Sequence, residues 1–334
     1  PIENAIIYKR KAIDEFAKAS TTPIEILELA GFKVLINESG SSLDFRNNSD
    51  MYDMADYIIA GLELYPSEFF KRFNNIDAVS RVGVGTDCID LGSATESDVK
   101  IFITSDKPSV AVAELCVSNM ISLLRHTYRM SNDLKLNYWN PIQGRELRSC
   151  TVGIVGVGSI GREVIKRVHA FGAKLIGYGR TWDEEFANKF GVDRRTLTEV
   201  FKESDIITIH LPLTPETKGL ISEEVIQLTK SKALILNTSR AGVIDNIALA
   251  KSIKSNKLSG AAVDVFDEER DPYPYGELDE VILTPHIGSH TIETRKSMEE
   301  MAAKNLVIYD SLSKQTDASK INDILSYIDK HSVN

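Results

Sequence analysis

Gly156, Gly158 and Gly161 stand in the order G-x-G-x-x-G, and each meets a separate demand of a phosphate-binding turn. The first permits a tight turn, the second lets the backbone approach a pyrophosphate, and the third lets a helix pack close to a strand. Val152, Ile154 and Val155 precede the turn as a short β-branched apolar run, as a buried parallel strand requires. After it, Val164, Val168 and Phe171 recur at i, i+4 and i+7 on one helix face, and Gly172 stops the helix. Lys174 to Tyr178 is the next apolar strand. The whole stretch Thr151 to Arg180 thus reads as a βαβ unit. Its helix aims free N–H groups and a dipole at an anion, which is the chemistry of dinucleotide binding. Backbone groups at Ser159 and Ile160 are the expected pyrophosphate contacts.

An NAD site wants Asp or Glu at the end of the second strand, about 20 residues past the glycines, to bind the ribose hydroxyls. This chain has Gly179, then Arg180 and Thr181. A carboxylate there repels a 2′-phosphate, whereas a guanidinium followed by a hydroxyl accepts one. The expectation is NADP(H) preferred over NAD(H). The alternative, NAD(H), has Arg180 solvated at the surface and Asp183 reaching back to the ribose.

These groups need a scaffold, and with 334 residues two domains are expected. Ahead of the glycine turn the chain already alternates. Strands are expected at 5–8, 33–36, 56–60, 78–82 and 100–104, with helices at 23–30, 66–73 and 91–96. Residues 106–109 mark a crossing into a long apolar helix over 110–125, followed by a polar, loop-like stretch over 137–149 around Trp139 and Gly144. Past the βαβ unit, strands at 206–211, 233–237, 261–265 and 281–284 alternate with helices at 198–203, 223–230 and 246–255. From Thr291 the chain turns helical again, with Met298, Met301 and Ala302 on one face, and returns to the first domain. The expected class is α/β: two doubly wound parallel-sheet domains, a Rossmann dinucleotide-binding domain (106–290) inserted in a flavodoxin-like substrate domain (1–105 and 291–334). Two crossings would make a hinge over a cleft.

Composition removes several classes. The formal net charge of −9 argues against a nucleic-acid partner or an anionic membrane surface. No apolar run approaches the roughly 18 residues of a membrane span. The first residues, Pro-Ile-Glu-Asn-Ala, lack the basic and hydrophobic pattern of a signal. Cys88, Cys116 and Cys150 have no metal-ligand spacing and fit a reducing compartment. The expectation is a cytoplasmic protein with no structural disulfide and no metal.

Longer segments narrow the reading further. They are Ser80-Arg-Val-Gly-Val-Gly-Thr-Asp-Cys-Ile-Asp90, Ala111-Val-Ala-Glu114, the glycine turn, His210-Leu-Pro-Leu-Thr-Pro-Glu-Thr217, Asn237-Thr-Ser-Arg-Ala-Gly-Val-Ile-Asp245, Ala262-Val-Asp-Val-Phe-Asp-Glu-Glu269 and Thr284-Pro-His-Ile-Gly-Ser289. In this order the chain resembles the D-isomer-specific 2-hydroxyacid dehydrogenases, which include D-lactate dehydrogenase, phosphoglycerate dehydrogenase and glyoxylate/hydroxypyruvate reductase. The family usually has Pro where this chain has Arg270, often Gly where it has Ala241, and commonly Asn where it has Cys88.

The resemblance implies hydride exchange between a nicotinamide and a carbonyl carbon, whose oxygen must gain a proton. A histidine suits that transfer. His286 is the implied donor in reduction and acceptor in oxidation, with His290 its one rival. Glu269 is the implied acid beside it, which fixes the ring and favours its protonated form; Asp267, Glu268 and Asp271 belong to the same acidic run. Arg240 is implied to clamp the substrate carboxylate in two parallel hydrogen bonds. Asp264 is implied to accept from the nicotinamide carboxamide, with Leu211, Pro212, Thr238, Ser239 and Gly288 bordering the cofactor. Backbone N–H groups of Val84 and Gly85 are the implied second carboxylate contact. His210 is expected beside the cofactor, His126 and His169 on helices, and His331 in the tail.

Phosphoglycerate dehydrogenases carry an arginine near position 60, where this chain reads Ile58-Ile-Ala-Gly-Leu62. Arg81 either contacts a phosphate or braces its loop. The expected substrate is a small unphosphorylated 2-oxo acid of the glyoxylate or hydroxypyruvate type. A short-type D-3-phosphoglycerate dehydrogenase and a non-enzymatic dinucleotide-sensing binding protein are the alternatives. A formate dehydrogenase-like enzyme would have Gln in place of Glu269. The family implies a homodimer, with the helix over 110–125 and the Trp139 loop as candidate surfaces.

Overall fold

A computed structural model describes residues 3–8 (backbone only), 22–37, 44–267 and 271–313. The chain divides into two units, residues 1–108 with 291–334, and residues 109–290.

In the first unit, β1 (Glu3–Tyr8), β2 (Phe32–Asn37), β3 (Tyr57–Ala60), β4 (Ala78–Arg81) and β5 (Lys100–Ile103) form a parallel sheet in the order β2-β1-β3-β4-β5. Helices α1 (Thr22–Leu29), α2 (Ser49–Asp53), α3 (Ser67–Arg72) and α4 (Leu91–Glu96) connect them. The central strands β3 and β4 are buried throughout, because both faces are covered. Ile58 and Val79 pack one face with Phe69, Phe70 and Phe73, while Tyr57, Ile59 and Ala78 pack the other with Ile26 and Leu27. Pro66 is the N-cap of α3, just outside its first turn, and Asp90 caps α4 by accepting from the Ser93 amide at 2.9 Å.

The second unit opens with α5 (Ser109–Arg125) and α6 (Thr127–Lys135). It continues through β6 (Thr151–Val155), α7 (Ser159–Ala170), β7 (Lys174–Tyr178), α8 (Glu184–Phe190), β8 (Val192–Arg194), α9 (Leu197–Glu203) and β9 (Ile206–Ile209). Then come α10 (Glu223–Gln227), β10 (Ala233–Asn237), α11 (Asn246–Lys254), β11 (Leu258–Val263) and β12 (Val281–Leu283). The seven strands are parallel in the order β12-β11-β10-β9-β6-β7-β8, a doubly wound sheet whose order reverses between β6 and β9. Side chains alternate between two cores, Val152 and Ile154 entering one with α5 and α7, and Val155, Ile207 and Ile209 the other with α9 and α11. The chain then enters α12 (Ile292–Ser313), which belongs to the first unit. There Met298, Ala302, Leu306 and Val307 join the core around α1, with Met301 half-buried beside them.

Several elements depart from the sequence reading. Helix α6 was not expected; it is short and polar, has no fully buried residue, and packs only its half-buried Tyr128 against the core. Strand β11 begins at Leu258 rather than 261, since Ser259 and Gly260 interrupt the apolar run that would announce it. Helix α5 spends Val112, Ala113, Cys116, Met120 and Leu123 on the core of its own unit and leaves Val110 46% exposed. The Trp139 loop does stay open, with Trp139 85% exposed.

Candidate active site

The register of the second sheet puts six strand ends in one row. Tyr178 pairs with Val155, Val155 with Ile209, Ile209 with Asn237, Asn237 with Val263, and Val263 with Leu283. The described candidate residues of this unit leave the sheet just after their strands cross that row or on the loop or helix start that follows. They include the glycine turn after Val155, His210 after Ile209, Arg240 three positions past Asn237, Asp264 directly after Val263, and His286 three positions past Leu283. Ligands of open parallel sheets bind at this carboxyl edge, beside the point where strand order reverses.

The glycine turn fits a diphosphate. Gly156 has φ +103, and a Cβ there would fall 2.5 Å from the His210 carbonyl oxygen. At Gly161 a Cβ would fall 2.1 Å from the Gly156 carbonyl oxygen, so only glycine lets α7 pack here. At Gly158 nothing lies within 4 Å of that position. Gly158 is also the N-cap of α7, with no side chain to cap the helix, and neither it nor Ser159 is buried; Ile160 is half-buried behind them. The first turn of α7 carries no acid. Arg180 and Thr181 are exposed beyond β7. Asp183 is occupied elsewhere: Oδ1 accepts from the Phe186 amide at 3.0 Å and Oδ2 from Arg162 Nη1 at 2.8 Å, capping α8.

The Arg240 turn is folded by Asn237. Asn237 Oδ1 accepts from the Ser239 amide (3.0 Å) and Ser239 Oγ (2.9 Å), and its Nδ2 donates to the Arg240 carbonyl at 3.0 Å. Thr238 and Ser239 are buried, and half-buried Arg240 donates from Nη1 to the Ser239 carbonyl at 2.7 Å.

Asp264 pins the loop that carries His286. Its Oδ1 accepts from Thr284 Oγ1 at 2.6 Å and from the Ile287 amide at 2.9 Å, and its Oδ2 accepts from the Gly288 amide at 2.8 Å. Burial pushes the Asp264 carboxyl up from the usual range, while these donors and the nearby His286 act against that shift. The Gly288 amide is thereby tied to Asp264. His286 sits at φ +53, a left-handed conformation uncommon outside glycine, and its side chain is exposed. Thr284 was not singled out from sequence, and its role shows only once β11 and β12 lie side by side.

The other histidines have structural surroundings. The ring of His210 shares a 2.9 Å hydrogen bond between Nε2 and Thr208 Oγ1, its Nδ1 is sealed without a partner, and burial pushes it down to about 3. It is neutral at working pH and is no proton donor. Thr208 lies on the core face shared with α5, where Cys116 Sγ meets Thr238 Oγ1 at 3.2 Å. His169 Nδ1 lies 3.0 Å from the Phe190 carbonyl oxygen, His126 is the N-cap of α6, and His290 is exposed. Leu211 lines the glycine turn, its Cδ2 lying 3.2 Å from the Cβ position of Gly156, and Pro212 is exposed beyond it. Glu268, Glu269, Arg270 and His331 lie outside the described residues.

In the first unit, the turn after β4 holds Val84, which is exposed, and Gly85, which is half-buried. The Gly83 amide donates to Thr104 Oγ1 at 2.8 Å. Arg81 folds back over this turn: a Cβ on Gly83 would fall 1.5 Å from Arg81 Nη1, and the residue is only 5% exposed. Arg81 thus braces its loop. Among the described residues no cluster of His, Cys, Asp and Glu could hold a metal ion, and no helix is long and apolar enough to cross a membrane.

Residues 117–288 match the family model described as D-isomer specific 2-hydroxyacid dehydrogenase, NAD binding domain. The chain is 35% identical over 260 residues to a glyoxylate reductase of Pyrococcus furiosus, covering 74% of this chain and 76% of that one. It is 37% identical over 243 residues to a D-3-phosphoglycerate dehydrogenase of Methanocaldococcus jannaschii, covering 72% of this chain and 46% of the relative, so it spans about half the length of that protein. The solved structure of a glyoxylate reductase from Paecilomyes thermophila has a TM-score of 0.82 at 27% identity, over 95% of this chain and 97% of that one. With the glycine turn and the Arg240 and His286 loops on one sheet edge, these matches agree that the chain belongs to the D-isomer-specific 2-hydroxyacid dehydrogenases, a family of oxidoreductases acting on hydroxy acids.

Proposed function

We propose that this protein reduces a small 2-oxo acid, of the glyoxylate or hydroxypyruvate type, to its D-2-hydroxy acid, with NADPH preferred over NADH. The observation that carries this reading is the common row of strand ends that delivers Arg240, Asp264 and His286 to one edge beside the glycine turn. A bound nicotinamide supplies the hydride. The guanidinium of Arg240 holds the substrate carboxylate and polarises the adjacent carbonyl. His286 gives a proton to the carbonyl oxygen as negative charge develops there, and takes it back in the reverse direction. Glu269 orients the ring. Asp264 keeps a free lone pair for the carboxamide, because a carboxylate offers about four acceptor sites and three are in use.

The cofactor preference rests on Arg180 and Thr181 being exposed where NAD sites place an acid, and on Asp183 being engaged by Arg162 and the α8 amide. The unphosphorylated substrate rests on Arg81, whose guanidinium is folded onto its own turn. The protein acts as a homodimer through the helix over 110–125 and the Trp139 loop. A panel of 2-oxo acids with 3-phosphoglycerate, each assayed with both cofactors, tests the reading. Turnover of glyoxylate or hydroxypyruvate with higher kcat/KM for NADPH is expected, and Arg180→Ala should raise KM for NADPH about tenfold while leaving that for NADH unchanged. A protein that binds cofactor but reduces no 2-oxo acid would be a dinucleotide sensor instead. Preferred turnover of 3-phosphoglycerate would make it a short-type phosphoglycerate dehydrogenase.

A further inference from the structure

We infer that Asn246 is a positioning residue that locks the turn carrying Arg240 to the segment after β11 that leads toward Glu269; the inference rests on the reading of Arg240 as the carboxylate clamp. Asn246 is the first residue of α11 and is 9% exposed. Its amide joins three separate stretches of chain. Nδ2 donates to the Ala241 carbonyl at 3.3 Å and to Asp267 Oδ2 at 3.0 Å, and Oδ1 accepts from the Tyr275 hydroxyl at 2.7 Å. Ala241 follows Arg240 directly, and Asp267 stands two positions before Glu269 in the sequence.

The orientation of this amide is determined. Tyr275 is 1% exposed, and burial, with the charges of Asp267 and Asp245, pushes its hydroxyl far up. It therefore stays protonated and must donate, so Oδ1 faces it and both Nδ2 hydrogens face Ala241 and Asp267. From the other side, Asn237 Nδ2 grips the Arg240 carbonyl at 3.0 Å. Two asparagines thus hold consecutive carbonyls, 240 and 241, and fix the direction in which the Arg240 side chain departs. Removing Asn246 frees one of the two grips and leaves the buried Tyr275 hydroxyl without its acceptor. A misplacement of about 1 Å at a substrate clamp costs on the order of a hundredfold in rate.

The test uses Asn246→Leu, which keeps the volume and removes all three bonds, and Tyr275→Phe, which removes one, both in the full chain. Asn246→Leu should raise KM for the 2-oxo acid about tenfold or more, with the Kd for NADPH within about twofold of wild type. Tyr275→Phe should move the same constant in the same direction by less. Peptides covering 238–245 and 264–267 should exchange amide hydrogens faster in both variants, while those covering the glycine turn should not change. A lower Tm with unchanged KM and unchanged exchange overturns the inference and leaves Asn246 a stability residue only. Equal losses for acid and cofactor overturn it too, as a general distortion. If the wild type reduces no 2-oxo acid, the reading of Arg240 fails separately, and the exchange data alone decide whether the clasp exists.

Discussion

At the scale of single residues, His286 and His210 show how one side-chain type takes two fates within one sheet edge. His210 is sealed and pushed down to about 3, so it cannot carry a proton near neutral pH. His286 is exposed on a left-handed turn at the carboxyl edge of the sheet. His286→Ala should lower kcat by about a hundredfold or more, the usual scale for losing a general acid, with the dinucleotide Kd little changed; His290→Ala should leave kcat near wild type. Stopped-flow or steady-state NADPH oxidation checks both. Both histidines lie in segments shared with the family, and they were separable in the sequence because the resemblance puts His210 beside the cofactor and His286 at the proton donor's place. Asn246 and Tyr275 were not legible there. They are 29 positions apart, neither falls in a motif, and only the packing of α11 against the turn after Arg240 brings them together.

At the scale of elements, the glycine turn was legible in full because each requirement is local: a tight turn, an open approach and a close helix. The structure adds which of the three is least forgiving. At Gly161 the atom in the way is a backbone oxygen at 2.1 Å, which cannot rotate aside as a side chain would. Gly161→Ala should therefore destabilise the unit by about 1–3 kcal/mol, the cost of overpacking, and weaken cofactor binding; Gly158→Ala, facing open space, should leave Tm nearly unchanged while still weakening cofactor binding. Thermal melts with and without NADPH distinguish the two. Helix α6 was missed because it is nine residues long and polar on average, so too few apolar residues mark its face. The ends of β9 and β11 shifted by a few residues because strand bounds depend on partners that sequence does not display.

At the scale of the whole molecule, two surface properties follow. Leu134, Leu136, Tyr138 and Trp139 are each more than half exposed and lie within six positions. If a second copy covers them in the homodimer, Trp139→Glu should yield a monomer by sedimentation velocity; an unchanged sedimentation coefficient would remove this loop from the interface. In the first unit, Tyr57 donates to Asp310 at 2.9 Å, with Asp77 close by. Burial, then the charges of Asp56 and Asp310, pushes the Asp77 carboxyl up. A carboxyl raised in the fold favours the folded state below its unfolded value and withdraws that support as pH rises through its folded value. Asp77 is exposed, so solvent weakens this effect; Asp77→Asn should raise Tm at pH 7.5 by no more than about 2 °C, with the gain fading toward pH 4. A Tm unchanged at both pH values would show that solvent screens the cluster.

The aligned register of β10, β11 and β12 also serves as a ruler. Neighbouring strands lie about 4.8 Å apart, so the strand that launches Arg240 and the one that launches His286 are separated by two such steps, roughly 10 Å of backbone. If both side chains turn toward a bound acid, as the proposed function requires, that span admits a head group of a few atoms. Any larger acid would have to project its tail outward, away from the ladder, and chain-length tolerance would then be decided by whatever residues lie above the sheet, not by the sheet itself.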